Sequence, residues 1–397
     1  MNTLIDSIAA NTVNTTAATA AMAEQSRSRF AVDASAVDNT NRAMVRIAQL
    51  VDMGRVGAAR VIDRVQNEVP VDRTAPANRF LFSERGREID FAFRDADGGA
   101  PAGTMRLHPH ALKQVGVIAD MPWVRELSGR AKDDDQWGAR LAAQSLNMFF
   151  KRSDARHLIR SVGDQARGIV SDKFRRIDAR PILEAALGAF AAVGLQPYEG
   201  RWMETRLELQ AIVPQLYAPI PGELIAFGLS LRTSDYGDGA FDLRTFVLRP
   251  ACANGMIGQS ELRAIHSGKR LSDNEFLSEK TKRLDTEAMA SATTDVIRAT
   301  LAPAAIESKL SAMRAAASRE VDPARALAAL RKSLQKSEAE QVLAHFSSPD
   351  IVTLPPGNNA LRMANAISWL ANTESNQRRA VELQEVAGDW IRGSSAS

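Results

Sequence analysis

Leu224-Ile-Ala-Phe-Gly-Leu-Ser-Leu-Arg-Thr-Ser-Asp-Tyr-Gly-Asp-Gly-Ala-Phe-Asp-Leu-Arg-Thr-Phe-Val-Leu-Arg-Pro-Ala-Cys-Ala-Asn-Gly255 decides the fold class. Ile225, Phe227, Leu229 and Leu231 recur at every second residue, and so do Phe241, Leu243, Thr245 and Val247. A period of two puts each set on one face of a strand. Between the strands, Ser234-Asp-Tyr-Gly-Asp-Gly239 supplies the residues that tolerate positive φ, which is what a hairpin loop needs.

Upstream, Met203, Thr205, Leu207, Leu209, Ala211 and Val213 alternate with Glu204, Arg206, Glu208 and Gln210. That pattern predicts one antiparallel strand with a wet face. Asp178 and Pro181 signal the start of a helix over 182–193, and Gly194 its stop. Gly168-Ile-Val-Ser reads as a short strand before it. The expected fold is therefore α+β, with a central antiparallel sheet built on a β-α-β-β-β unit.

Further out, Phe80 and Phe82 face Ile89, Phe91 and Phe93 across Gly86, a second hairpin. Residues 70–76 read as a linker and 95–103 as a Gly-rich loop. A helix over 39–66 carries Met44, Ile47, Val51, Ala58 and Ile62 on one face. It reads as an exposed helix packed on the body or on another subunit. A short helix starts at His108-Pro109-His110, and one over 133–150 carries Trp137, Leu141, Leu146 and Phe150 as its apolar face. After Leu271 strand signals nearly vanish, and Ala-rich, proline-punctuated segments predict three to five helices. The expected division is a partly disordered N-terminal arm and helix (1–75), an α+β core (76–270) and a helical C-terminal region (271–397).

The 397 residues carry 50 Lys and Arg against 47 Asp and Glu, so basicity has to be local if it matters. One cysteine, Cys252, excludes an intrachain disulfide and the Cys-rich zinc motifs. With no secretory signal at Met1 and no long apolar run, the expectation is a soluble, cytoplasmic protein.

The stretch 151–180 holds nine Lys and Arg against four Asp, an excess of +5. Local excess of this kind binds phosphates, because each neutralised phosphate releases counterions. Arg160, Arg167, Lys173, Arg175, Arg176, Arg180, the strand residue Arg206 and the aromatic Tyr236 are the candidate nucleic-acid-binding residues. The same cluster also reads as a solvated surface of Arg–Asp pairs. Asp235, Asp238 and Asp242 are what a tight turn requires, and no metal site or cofactor is expected. His108 and His110, split by a proline, read as capping or surface residues, and Cys252 as a buried small hydrophobe. No phosphate-cradling Gly-Lys-Ser/Thr loop, dinucleotide fingerprint or nucleophile elbow is present.

Arg167-Gly-Ile-Val-Ser-Asp-Lys-Phe-Arg-Arg-Ile-Asp178 resembles the signature of the phage/plasmid-like family called domain of unknown function 932, with Phe174 where that family shows Tyr. Phe246-Val-Leu-Arg-Pro-Ala-Cys-Ala-Asn-Gly255 is similar to its later strand, and Ile265-His266-Ser267 matches its Arg-His-Thr loosely. The segments 110–122, 359–369 and 379–388 look like its flanking helices. The resemblance implies a phage, prophage or plasmid origin and, by gene context, nucleic-acid handling.

Three functions follow as expectations. The first is an oligomeric nucleic-acid-binding protein that prefers single-stranded DNA and assists recombination or replication. The second is a metal-dependent nuclease or phosphotransferase using Asp172, Asp178, Asp235 and Asp238. The third is a structural assembly protein of a mobile element.

Overall fold

The computed structural model describes residues 34–94, 103–129, 137–203, 205–251, 253–266, 277–348 and 354–393. The readings of the N-terminal arm, the 95–102 loop, Glu204, Cys252 and the last four residues lie outside them.

Helix α1 (Ala34–Asn67) buries the predicted stripe of Met44, Ile47, Val51, Ala58 and Ile62 against the body of the chain. Strand β1 (Val71–Pro76) occupies the predicted linker. It is an edge strand paired antiparallel with β5 (Arg156–Val162), a position where proline is tolerated. The hairpin of β2 (Phe80–Arg85) and β3 (Glu88–Phe93) forms as predicted, with Phe80 opposite Phe93 and Gly86 at φ 65°. Strand β4 (Thr104–Leu107), too short for alternation to reveal, pairs in parallel with β6 (Gln165–Ser171), which contains the predicted strand over 168–171. Together these strands make a six-stranded mixed sheet of order β1-β5-β6-β4-β3-β2.

Helices α2 (Pro109–Ile118), α3 (Val124–Gly129) and α4 (Trp137–Phe150) belong to the core of this sheet. The buried face of α4 differs from the predicted one. Ala139, Ala142, Ala143, Leu146 and Phe150 go inward, whereas Trp137 and Leu141 are exposed. Small residues at the contact let α4 lie close to β2, and the larger ones are turned out.

Helix α5 (Ala179–Val193) ends at Gly194, which takes a left-handed φ of 73°. Five strands follow as an antiparallel meander: β7 (Gln196–Met203), β8 (Arg206–Tyr217), β9 (Ile225–Thr233), β10 (Phe241–Arg249) and β11 (Asn254–Ala264). The central sheet thus holds the last three strands of the predicted β-α-β-β-β unit, while its leading strand lies in the other sheet. The predicted strand over 203–213 is in fact split by a tight hairpin, with Met203 opposite Arg206.

The predicted wet face of β8 is covered. Glu208 and Gln210 are each 1% exposed. Gln210 donates to Glu208 at 3.1 Å and to Gln384 at 3.2 Å, and Ser230 donates to Glu208 at 2.7 Å. Polar residues alternate here as they should in a sheet, but the helix carrying Gln384 meets them with polar groups of its own.

Among the described residues, the helical region has six helices: α6 (Glu279–Thr300), α7 (Pro303–Ser318), α8 (Pro323–Leu330), α9 (Lys336–Ser347), α10 (Ala360–Thr373) and α11 (Gln377–Arg392). That is more than the three to five expected, because new helices start at a capping box of Gln335 with Glu338 and at an Asn376 cap, with no proline to mark either break. Leu207, Leu209, Leu229, Leu231, Phe241 and Leu243 share a core with α1, α5 and Ala290 and Ile297 of α6. Ile225, Phe227 and Met256 join α7–α11 instead. The five-stranded sheet is a middle layer with helices on both faces. Among the described residues, no helix is long and apolar enough to cross a membrane.

Candidate functional site

The loop between β9 and β10 is where the parts of the molecule meet. Its Ser234 accepts from the backbone N–H groups of Tyr236 and Asp238 at 3.1 and 3.2 Å, a local turn that explains the Ser-Asp-x-Gly-Asp composition. Gly237 and Gly239 take φ values of 77° and 103°, as the loop reading requires. Beyond the turn itself, each residue anchors a remote element. The Tyr236 carbonyl lies 2.8 Å from Gln114 Nε2 and 3.2 Å from His110 Nε2, both on α2. The Asp235 carboxylate accepts from Ala179 N, in the first turn of α5, at 2.7 Å. Asp238 accepts from Arg378 of α11 at 2.9 Å and, through its carbonyl, from Arg206 of β8 at 2.6 Å.

Five of the predicted basic residues are engaged in ion pairs, and two of them, Arg160 and Arg167, lie against the loop itself. Arg160, 2% exposed, donates to Asp72 of β1 at 2.8 Å, to Asp178 at 2.6 Å and to the Asp235 carbonyl at 2.7 Å. Burial alone would lower its pKa, but the three carboxylates around it raise it, so the charge is held. Arg167 is buried, pairs with Glu68, and lies 5.9 Å from the centroid of Tyr236. Tyr236 itself is 1% exposed, and burial pushes its hydroxyl up to about 12, so it offers no face to a base. Arg175 forks onto Asp285 of α6 at 2.6 and 2.7 Å, and Arg176 onto Glu279 at 2.6 and 2.8 Å. Arg180 pairs with Glu184 one helical turn on, at 3.0 Å. These residues are thus held in pairs with Asp and Glu; the pairs of Arg160 and Arg167 are interior, and those of Arg175, Arg176 and Arg180 lie at or near the surface.

The aspartates do not converge on one point. Asp178 and Asp235 serve Arg160, whereas Asp238 serves Arg206 and Arg378. Desolvation raises Asp235 up to about 6, with Arg160 opposing. Among the described residues, no group of three or more His, Cys, Asp or Glu side chains is placed to hold a metal ion. His108 caps α2 with its Nδ1, as expected, and His110 is buried rather than on the surface.

Beside the joint lies an open cleft of about 540 Å³, walled by the end of β6, the β9–β10 loop and the end of β11. Lys173, Phe174, Gly237, Gly239, Arg263 and His266 are among its lining. Lys173 and Arg263 are exposed, and neither has a carboxylate partner among the described residues. Phe174 and His266 stack with ring centroids 4.8 Å apart and planes 3° apart. Of the eight predicted residues, Lys173 alone faces this cleft. Arg263 went unread because β11 interleaves Gly, Gln and Ser with few apolar residues, and His266 had only its loose motif match.

No protein-family model, no curated protein and no solved structure matches this chain.

Proposed function

We propose that the protein binds nucleic acid, single strands in preference to duplex, with the phosphate backbone held at the cleft between β6, the β9–β10 loop and β11. The observation that carries this reading is Lys173 with Arg263. They are exposed cations without a carboxylate partner among the described residues, on one concave surface, in a region where the other arginines are consumed by ion pairs. Unpaired cations on a concave wall attract phosphates, because no internal pair has to be broken first. Phe174 and Ile265 add apolar surface beside the charge, which suits the bases of an unpaired strand and is of no use to the outside of a duplex.

The motif resemblance adds a mobile-element origin and a place in recombination or replication to the same reading, which also takes in the cytoplasmic setting and homo-oligomer expected on other grounds. Lys173 lies inside the quoted signature, so the resemblance and the cleft meet at that residue.

Fluorescence anisotropy with labelled single-stranded and duplex oligonucleotides of equal length tests it. The expected outcome is tighter binding of the single strand, weakening as salt rises from about 50 to 200 mM, since two or more phosphate contacts are salt-dependent. Absence of binding to either at the lower salt would end the proposal.

A further inference from the structure

We propose that His266 is the third cation of this site, protonated when a phosphate oxygen arrives, so that binding draws one proton from solvent. The inference rests on reading the cleft as a nucleic-acid site and concerns how that site holds its anion.

The hydrogen bonding of the ring fixes its tautomer. His266 Nδ1 lies 2.9 Å from the Arg175 carbonyl, while Arg175 N donates to the His266 carbonyl at 3.0 Å. A carbonyl oxygen can only accept, so Nδ1 carries the hydrogen and Nε2 of the neutral ring carries the lone pair. Nε2 is buried and has no hydrogen-bond partner. Buried polar atoms are normally paired, and an unpaired one on a residue that lines a cleft is an atom that an incoming ligand can satisfy once it displaces the side chains covering it. Lys173 and Arg263 line the same cleft. A second acceptor placed there, such as a phosphate oxygen, would meet a lone pair unless Nε2 gains a proton. Once it does, the same nitrogen donates a charge-assisted hydrogen bond.

The charges around the ring set the direction of the change. Arg160 lies behind Phe174, and Arg175 and Asp178 lie on the segment leading into α5. Asp285 of α6 is engaged by Arg175, and Lys173 and Arg263 stand at the cleft. Burial first, then Arg160 and Arg175, hold the ring below the ordinary histidine range, against the Arg175 carbonyl and Asp178. The empty site therefore keeps a neutral imidazole at neutral pH. A bound phosphate is the added negative charge that reverses the balance. The step makes one N–H bond from a solvent proton and breaks no bond in the ligand.

Titration calorimetry of oligothymidylate into the full chain, in two buffers of different ionisation heat, reads the proton directly. Thymine has no group titrating between about pH 6 and 8, a range in which histidine does. The expected result is uptake of a fraction of a proton per site near pH 7, with affinity rising as pH falls. The rise approaches tenfold per pH unit at most, the limit for one linked proton. In His266→Asn the side-chain amide can still donate to the Arg175 carbonyl. That variant should bind more weakly, with no uptake and a flat pH profile. Lys173→Gln, an exposed change, should weaken binding but keep the uptake. Equal uptake in wild type and His266→Asn would assign the proton to another group and overturn the proposal. So would wild-type binding without uptake, which would leave the nucleic-acid reading standing. No binding by the wild type at any pH would overturn both.

Discussion

Arg160 shows how a residue with a clear surface signature can belong to the interior. Its guanidinium reaches three acceptors that come from β1, the entry to α5 and the β9–β10 loop. The guanidinium spreads its donors over three nitrogens, whereas lysine gathers its donors on one, so lysine cannot reach all three acceptors. Arg160→Met leaves Asp178 without its cation and Asp72 with Arg176 alone, and should cost up to about 3 kcal/mol in chemical denaturation, the lower end for breaking a buried pair. Arg160→Lys should recover only part of that. An Arg160→Met variant as stable as wild type would show that the joint is not held by charge.

His157 makes a pH prediction of definite sign. It is buried beside Phe80 and Phe150, and burial is the main cause that holds its pKa below 6.5. The folded chain then binds fewer protons at this site than the unfolded chain once pH falls below about 6.5. The stability it contributes is present above that pH and is lost below it. Urea melts at about pH 5 and 7.5, spanning the ordinary histidine range, should show a smaller acid loss in His157→Phe than in wild type. An unchanged difference would place the acid sensitivity elsewhere.

At the scale of elements, α1 meets β7 through glycine. A Cβ at Gly54 would lie 1.5 Å from the Tyr198 carbonyl oxygen, and one at Gly200 would lie 2.6 Å from Ala58 Cα. The helix backbone therefore rests on the strand backbone. Gly54→Ala must push the two apart and should destabilise by at least about 2 kcal/mol, the range of severe overpacking. Gly188, exposed in the middle of α5, would have nothing within 4 Å of an added Cβ. Gly188→Ala should instead stabilise by about 0.5–1 kcal/mol, the helix-propensity difference. Thermal melts of the pair check both signs together.

The elements also show what could be read without coordinates. The hairpins of β2–β3 and β9–β10, the α1 stripe and the end of α5 at Gly194 were legible, because period and turn chemistry act locally. Strands β1, β4, β5 and β11 were not. β1 exists because Asp72 and its neighbours pair with β5, a partner some eighty or more residues away in the chain. The buried Glu208–Gln210 face was misread for the same kind of reason, since nothing local announces that Gln384 will cover it. At the site, Lys173 was found through charge, while Arg263 and His266 come from a strand end that only folding brings alongside.

On the scale of the molecule, two sheets with separate cores meet at the β9–β10 loop. The same loop forms a wall of the cleft and binds α2, α5, β8 and α11. That arrangement explains why the segment with the clearest periodicity is central to the architecture. It also divides the basic residues into two groups. Arg160, Arg167, Arg175 and Arg176 are held in ion pairs; Lys173 and Arg263 line the cleft. Charge alone could not separate them, because Lys173 stands in sequence among the paired arginines and carries the same charge.

The division is what charge reversal tests most directly. The comparison is single-strand binding by wild type, by the Lys173→Glu/Arg263→Glu double variant, and by Arg325→Glu, a reversal at an exposed position on α8 outside the cleft lining. Binding isotherms at about 50, 100 and 200 mM salt give the affinity and its salt slope for each. The cleft reading predicts a double variant that melts like wild type yet loses at least about tenfold in affinity, with a shallower slope by roughly two, one per lost phosphate contact. Arg325→Glu should remain within about twofold of wild type, the small effect of a distant charge screened by salt. Equal losses in both variants, or none in the double variant, would contradict the assignment of the cleft.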